Sequence, residues 1–285
     1  MALTAEISTT SLRLGDTRFD TTTRALVMGI LNRTPDSFYD KGANFAFDRF
    51  LAQAESHVAA GADLLDIGGV KAGPGEEVDE AEELDRVVDA VAALRERFDL
   101  PLSIDTWRAS VAKACFDVGA VVGNDISGFG DPDYCSVAAA AGASVVATHI
   151  RLKPRVADPN PHYDDVVIDV GAFLADRAQR ALDAGIPADR IIIDAGLDLG
   201  KTTVQSLELL RSSSALANQG FPLLLSVSNK GCLGELLSLE VGDRIEASLA
   251  AAAVGILGGC RVLRVHHVTG TVRVRDALDA VLSAE

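Results

Sequence analysis

Eight short apolar runs, each followed by a longer amphipathic stretch, constrain this chain more than any other feature. The runs are 25–31, 64–67, 102–104, 120–123, 144–147, 191–193, 223–226 and 262–265. They are aliphatic or β-branched with little alternation, as expected of strands covered on both faces. The stretches between them, 48–60, 79–98, 108–118, 133–141, 167–184, 203–217, 243–257 and 271–283, carry helical spacing; Leu84, Val87, Val88, Val91 and Leu94 mark one apolar face. Eight strand–helix units predict an α/β fold, a closed (β/α)8 TIM barrel. A doubly wound open sheet is the main alternative, but it usually has fewer strands and a glycine-rich first turn, absent here. Ahead of the first unit, 11–14 and 17–19 flank Gly15-Asp16 and read as an N-terminal β-hairpin plugging the mouth of the barrel. No linker interrupts the pattern, so residues 1–285 are expected to form a single barrel domain.

With 285 residues and 48% apolar side chains, the chain can bury a large core. Its formal charge of −15 excludes the basic stripe that nucleic acid requires, and disfavours an anionic membrane surface. An anionic small ligand remains compatible, since a cleft can be locally cationic inside an acidic protein. Cys115, Cys135, Cys232 and Cys260 show no Cys-x-x-Cys spacing and are expected to be buried free thiols. The first ten residues lack an apolar segment preceded by positive charge, and the apolar stretch 247–257 is too short to span a bilayer. A cytoplasmic location is the expectation.

In a parallel barrel the site lies at the C-terminal ends of the strands. Those positions read Asn32, Asp66, Asp105, Asn124 with Asp125, His149, Asp194, Ser228 with Lys230, and Arg264 with His266. Any one alone is commonly a structural cap, but polar groups at all eight strand ends point to a ligand. Asp105, Asn124 and Asp194 offer acceptors and one amide donor, and Lys230 adds a cation. That set suits a planar heterocycle rich in N–H groups and ring nitrogens. Arg264 and His266, two apart on the last strand, share a face and suit a phosphate, although Arg264 could equally pair with a barrel carboxylate. The Asn32 amide oxygen is a candidate ligand for Mg²⁺ beside a diphosphate.

Specific motifs accompany this rim. The first strand ends in Leu31-Asn32-Arg33-Thr34-Pro35-Asp36-Ser37-Phe38, the third in Ile104-Asp105-Thr106 and the fourth in Asn124-Asp125-Ile126. Further on come Asp194-Ala195-Gly196, Gly200-Lys201, and Ser228 with Lys230. In this order they closely resemble the motifs of the dihydropteroate synthase family, over nearly the whole chain. The resemblance implies a pterin site at Asp105, Asn124, Asp194 and Lys230, and a diphosphate site at Asn32, Arg264 and His266. It also implies Mg²⁺ as a possible cofactor and a homodimer packed through barrel helices. The family joins an activated hydroxymethyl dihydropterin to p-aminobenzoate by displacement at the pterin methylene. No enzyme nucleophile is needed, in keeping with the lack of a Ser or Cys nucleophile motif here.

The departures from the family pattern concentrate elsewhere. Where its second-strand motif has Glu-Ser-Thr-Arg-Pro-Gly, this chain has Val70-Lys71-Ala72-Gly73-Pro74-Gly75. The central Arg of Ser-Arg-Lys is Asn229, and the Ser that often follows is Gly231. Gly-Phe-Gly-Lys becomes Asp198-Leu199-Gly200-Lys201, and the loop after the first strand reads Tyr39-Asp40-Lys41-Gly42. His267 stands where the family has Asp. Two guanidinium groups that would face anionic substrate are missing, each charge-assisted bond being worth ~1.5–3 kcal/mol. Lys71 and Arg33 are the nearby cations, but neither reproduces a bidentate guanidinium. The expectation is a synthase-like paralogue, catalytically weak or inactive, that keeps a pterin-type or diphosphate-type pocket. Its rivals are an active synthase with a remodelled loop, a non-catalytic pterin-binding protein, and a methyltransferase-like relative acting on another pterin.

Overall fold

The computed structural model describes residues 11–33, 43–73 and 75–284, with residues 43–46 described in backbone alone. The segment from Thr34 to Gly42, which carries most of the first-strand motif and the loop after it, lies outside the described residues, as does Pro74.

Strands β1 (Ser11–Leu14) and β2 (Thr17–Asp20) pair antiparallel as the expected hairpin. Eight parallel strands follow: β3 (Leu26–Asn32), β4 (Leu64–Gly68), β5 (Leu102–Asp105), β6 (Val122–Asp125), β7 (Ser144–Thr148), β8 (Ile191–Asp194), β9 (Leu223–Leu225) and β10 (Cys260–Val265). They close into a barrel in sequence order, with β10 hydrogen-bonded back to β3. Between them run α1 (Ala43–Ala59), α2 (Glu80–Arg97), α3 (Ala109–Asp117), α4 (Tyr134–Ala140), α5 (Val166–Asp183), α6 (Thr203–Arg211), α7 (Ser213–Ala217), α8 (Gly231–Leu237) and α9 (Ile245–Leu257), and α10 (Val268–Leu282) follows β10.

Local chemistry sets several of the helix ends. Asp79 caps α2 by accepting from Glu82 N at 2.8 Å, with Glu80, Glu82 and Glu83 in its first turn and Arg95 and Arg97 in its last. Thr202 and Gln205 form a reciprocal capping box on α6. The stretch 203–217, expected as one helix, breaks at Ser212. There Ser213 Oγ donates to Leu210 O at 2.7 Å and competes for a helix acceptor. Helix α8 has no counterpart in the periodicity reading. It is about two turns long and contains Gly231 and Gly234, too short for a helical period to register.

The alternation of side chains across each strand separates two cores. Leu65, Ile67, Leu102, Ile104, Val145, Ile191, Ile193, Leu263 and Val265 point outward into the layer beneath the helices. Leu26, Met28, Leu64, Val122, Val146, Ile192, Leu224 and Val262 point inward and pack against Leu12 and Leu14 of the hairpin. The hairpin is therefore the plug at the barrel base. Arg190 Nη2 donates to Gly15 O (2.9 Å) and Ser144 Oγ to Arg13 O (2.6 Å), tying it in place. Toward the C-terminal ends of seven of the eight strands the inward positions are polar: Asp66, Asp105, Asn124, Thr148, Asp194, Ser226 and Arg264. The apolar floor ends there and the site begins.

Candidate active site

Asp105, Asn124, Asp194 and Lys230, from four different strand ends, line one pocket together with Arg264, Thr148, Ser226, Ile126, Gly196, Leu199 and Ala72. Arg264 is its organising group. Nε donates to Asp66 Oδ2 and Nη2 to Asp105 Oδ2, each at 2.6 Å. Asp66, fully buried, also accepts from Ser103 Oγ (2.6 Å) and Asn124 Nδ2 (3.1 Å). The ion-pair alternative for Arg264 is thus realised. Its guanidinium bridges two carboxylates across the pocket floor and is not joined by hydrogen bonds to Asn32 or His266. The free space left is about 50 Å³, room for one or two waters.

The electrostatics follow from burial. Asp105 is pushed up to about 7 by loss of solvent, Arg264 pulling the other way and the Asp66, Glu83 and Asp125 carboxylates adding to the rise. Arg264 is held above its ordinary value, because its two carboxylate partners outweigh the burial of its charge. Burial also raises Asp194, opposed by the Gly196 N–H, which donates to Asp194 Oδ1 at 2.8 Å, and by the Lys230 and Lys201 charges.

Gly196 is a backbone requirement. Its φ is +63°, and an added Cβ would lie 2.0 Å from His149 O. Lys201, buried below this turn, donates to Gly196 O (2.8 Å), Leu199 O (3.1 Å) and His149 Nδ1 (2.8 Å). Burial and the Lys201 charge pull His149 down to about 3, so its ring is neutral and Nδ1 accepts.

Two rim assignments need correction. His149 does not face the pocket; by strand alternation Thr148 does, and its buried hydroxyl has no protein partner. Counting by twos from Val146 in the sequence singles out Thr148. Asp125 also turns outward, accepting from Ser127 N and Oγ (both 2.6 Å) and Phe129 N (2.9 Å), so it shapes its own loop. Arg33 lies with its guanidinium 4.9 Å from the Phe47 ring centroid, over α1. Asn32 and His266 are at the exposed rim. His266 Nδ1 is 3.2 Å from Ser228 Oγ, and the Asn32 Oδ1 and Asp105 Oδ2 atoms both flank Gly68. The four cysteines are buried free thiols, raised by burial to about 12 (Cys115, Cys232, Cys260) and about 11 (Cys135), unsuited to nucleophilic work.

A second, larger cavity of about 300 Å³ adjoins the first, sharing Ala72 and Leu199 with it. Its walls are the β4–α2, β7–α5 and β8–α6 loops, among them Gly73, Ile150, Leu152, Val156, Pro159 and Asp198. Arg155 clasps two of these loops together. Its N–H donates to Ala72 O (3.1 Å), Nη1 to Lys71 O (3.0 Å), and Nη2 to Glu76 O.

A closed parallel barrel with a polar pocket at the C-terminal ends of its strands defines a protein of the TIM-barrel class. Residues 28–266 match the family described as pterin binding enzyme, and the chain belongs to it. It is 42% identical over 264 residues to a Mycobacterium leprae protein named inactive dihydropteroate synthase 2, covering 90% of this chain and 91% of that one. To the dihydropteroate synthase of Haemophilus influenzae it is 39% identical over 259 residues, covering 90% and 94%. The Yersinia pestis dihydropteroate synthase solved with a sulfonamide drug superposes with a TM-score of 0.90 at 37% identity, covering 96% of this chain and all of that one. The Xanthomonas albilineans dihydropteroate synthase solved with 4-aminobenzoic acid gives 0.90 at 35%, covering 97% and 99%. The protein is dihydropteroate synthase-like.

Proposed function

We propose that this protein binds a pterin in the central pocket and has lost most or all synthase turnover with p-aminobenzoate. One contrast carries the reading. Asp105, Asn124, Asp194 and Lys230 converge on one pocket. The positions where the family has Thr, Arg, Arg and Ser hold Ala72, Gly73, Asn229 and Gly231. Asp194 and Asn124 supply acceptors and a donor for the ring edge, and Thr148 supplies a hydroxyl still without a partner. The heterocycle makes its room by displacing the Arg264 guanidinium from Asp105, since the pocket is otherwise too small for a bicyclic ring.

The outer subsite would take the ligand's anionic group. Asn32, His266 and the released Arg264 lie around it, and Mg²⁺ is a fitting cofactor there. Oxygen donors suit that ion, which keeps several waters and takes few protein oxygens beside substrate phosphates; Asn32 would offer one amide oxygen. Among the described residues no group of three or more His, Cys, Asp or Glu side chains could hold a metal alone, so the metal would arrive with the diphosphate. A homodimer is supported by Leu236, Leu237, Val241 and Ile245, all exposed from the end of α8 to the start of α9. No described helix is long and apolar enough to cross a membrane, and a cytoplasmic location fits the acidic chain with its four free cysteines.

The test is calorimetric titration with hydroxymethyldihydropterin diphosphate, with and without Mg²⁺, beside a synthase assay against an ordinary family member. Pterin binding that disappears in Asp194→Ala, with native-like melting retained, is the expected result. Binding unchanged in that variant would refute the pocket, and full turnover would establish an active synthase instead.

A further inference from the structure

One polar group of the central pocket has no task in the free protein. Among the described residues three buried hydroxyls lack a hydrogen-bond partner, those of Thr21, Tyr134 and Thr148, and of these Thr148 lines the pocket. Thr148 ends β7 and is 2% exposed. Its Cα is paired in register with that of Asp194 on β8, and β6, which carries Asn124, flanks β7 on the other side. The side chain is held in one orientation. It is β-branched and stiff about its first torsion, and its methyl lies over Gly196, where an added Cβ would meet Cγ2 at 3.2 Å. Swinging the hydroxyl toward another partner would carry the methyl out of that contact.

The two neighbouring strands already fix what lies on either side of this hydroxyl. Asn124 Nδ2 donates to Asp66 Oδ2 at 3.1 Å, which sets the plane of its amide. Asp194 Oδ1 takes the Gly196 N–H at 2.8 Å, which leaves Oδ2 for a ligand. A cyclic guanidine edge, such as a pterin carries, has two ring nitrogens with an exocyclic amino group between them. When Asn124 and Asp194 read the two sides of that edge, the amino group is turned toward β7, the strand between them.

We propose that Thr148 is a specificity-determining residue whose hydroxyl accepts from the exocyclic amino group of the bound ring, so that the pocket selects an amino-bearing heterocycle over one with hydrogen at that position. The inference rests on the pterin reading of the central pocket. A hydroxyl that is buried and unpaired stays unpaired against the deamino ring, and the site rejects that ring more strongly than shape alone would.

The experiment titrates the full chain with hydroxymethylpterin and with its deamino counterpart, in the parent, in Thr148→Val and in Thr148→Ser. Valine keeps the shape and removes the hydroxyl; serine keeps the hydroxyl and removes the methyl. Thr148→Val should bind the amino ring about tenfold more weakly and the deamino ring as the parent does, so the preference narrows by about tenfold, the worth of one hydrogen bond. Thr148→Ser should keep the parental preference. Without ligand, Thr148→Val should melt no lower than the parent, because the hydroxyl it loses leaves no protein partner orphaned. A preference unchanged in Thr148→Val, an equal loss for both rings, or a melting temperature lowered by several degrees would overturn the proposal. The parent's affinity for the amino ring reads the pocket separately. Its absence condemns the pterin reading, whereas parental binding with an unchanged preference in Thr148→Val condemns only this one.

Discussion

The floor and the outer wall of this site contrast sharply. The floor, from β4, β5, β6 and β10, is a polar network in which Arg264, Asp66, Asp105, Asn124 and Ser103 satisfy one another. The outer wall, from the β4–α2, β7–α5 and β8–α6 loops, mixes aliphatic side chains with Asp158, Asp198 and Lys201. Side chains on strands are held by the hydrogen-bonded ladder, and a change in one orphans its partners. Loop side chains have fewer obligations. A site that drifts from its ancestral chemistry therefore changes first at its loops.

The most damaging way to break this contrast is at the turn the floor depends on. Gly196→Ala should cost about 4 kcal/mol, from the positive φ and the collision with His149 O, read as a shifted urea midpoint. A loss under about 1 kcal/mol would mean the turn relaxes and the floor is less rigid than described. Next comes Arg264→Met, which leaves the Asp66 and Asp105 carboxylates facing each other without their cation. About 3 kcal/mol of destabilisation is expected, the ordinary cost of breaking a buried pair. An unchanged melting temperature would show that water replaces the guanidinium freely.

The outer wall should behave oppositely, changing activity and not stability. Synthase turnover should fall at least ~100-fold below an ordinary family member, equivalent to about two missing charge-assisted contacts. Restoring Ala72→Thr, Gly73→Arg, Asn229→Arg and Gly231→Ser together should raise it only when Asp198→Gly is added, because Asp198 crowds position 231. Equal rescue with and without Asp198→Gly would separate the two positions.

The smallest effect is in pH. The Asp105 carboxyl is raised to about 7 in the fold against 3.8 for the free group. Between those values the folded state holds a proton that the unfolded chain has released, so its contribution to stability is present below pH 4 and lost as pH rises to about 7. Asp105→Asn should flatten the pH 4–7 slope of stability by about 1 kcal/mol per pH unit, the limit for a single proton. A variant whose pH profile overlays that of the parent would assign the slope elsewhere.

The sequence by itself determined the architecture. Eight apolar runs with helical intervals leave few alternatives to a closed barrel, and Leu12 and Leu14 flanking Gly15-Asp16 announced the plug, because burial patterns are written directly in residue order. It also brought Asp105, Asn124, Asp194 and Lys230 to one rim, since strand ends in a parallel barrel share a side. Three things were decided only in the folded molecule. Thr148 rather than His149 faces the pocket, because the phase from which counting by twos must start is set by Val146 packing on the apolar floor. Arg264 lies on two carboxylates at 2.6 Å instead of waiting for an anion, because it is one of few cations able to offset Asp66 and Asp105 once both are buried. The pairing of Asp198 with Gly231 joins residues 33 positions apart through a loop and a short helix. No periodicity records such a contact, for it depends on how two loops meet in space.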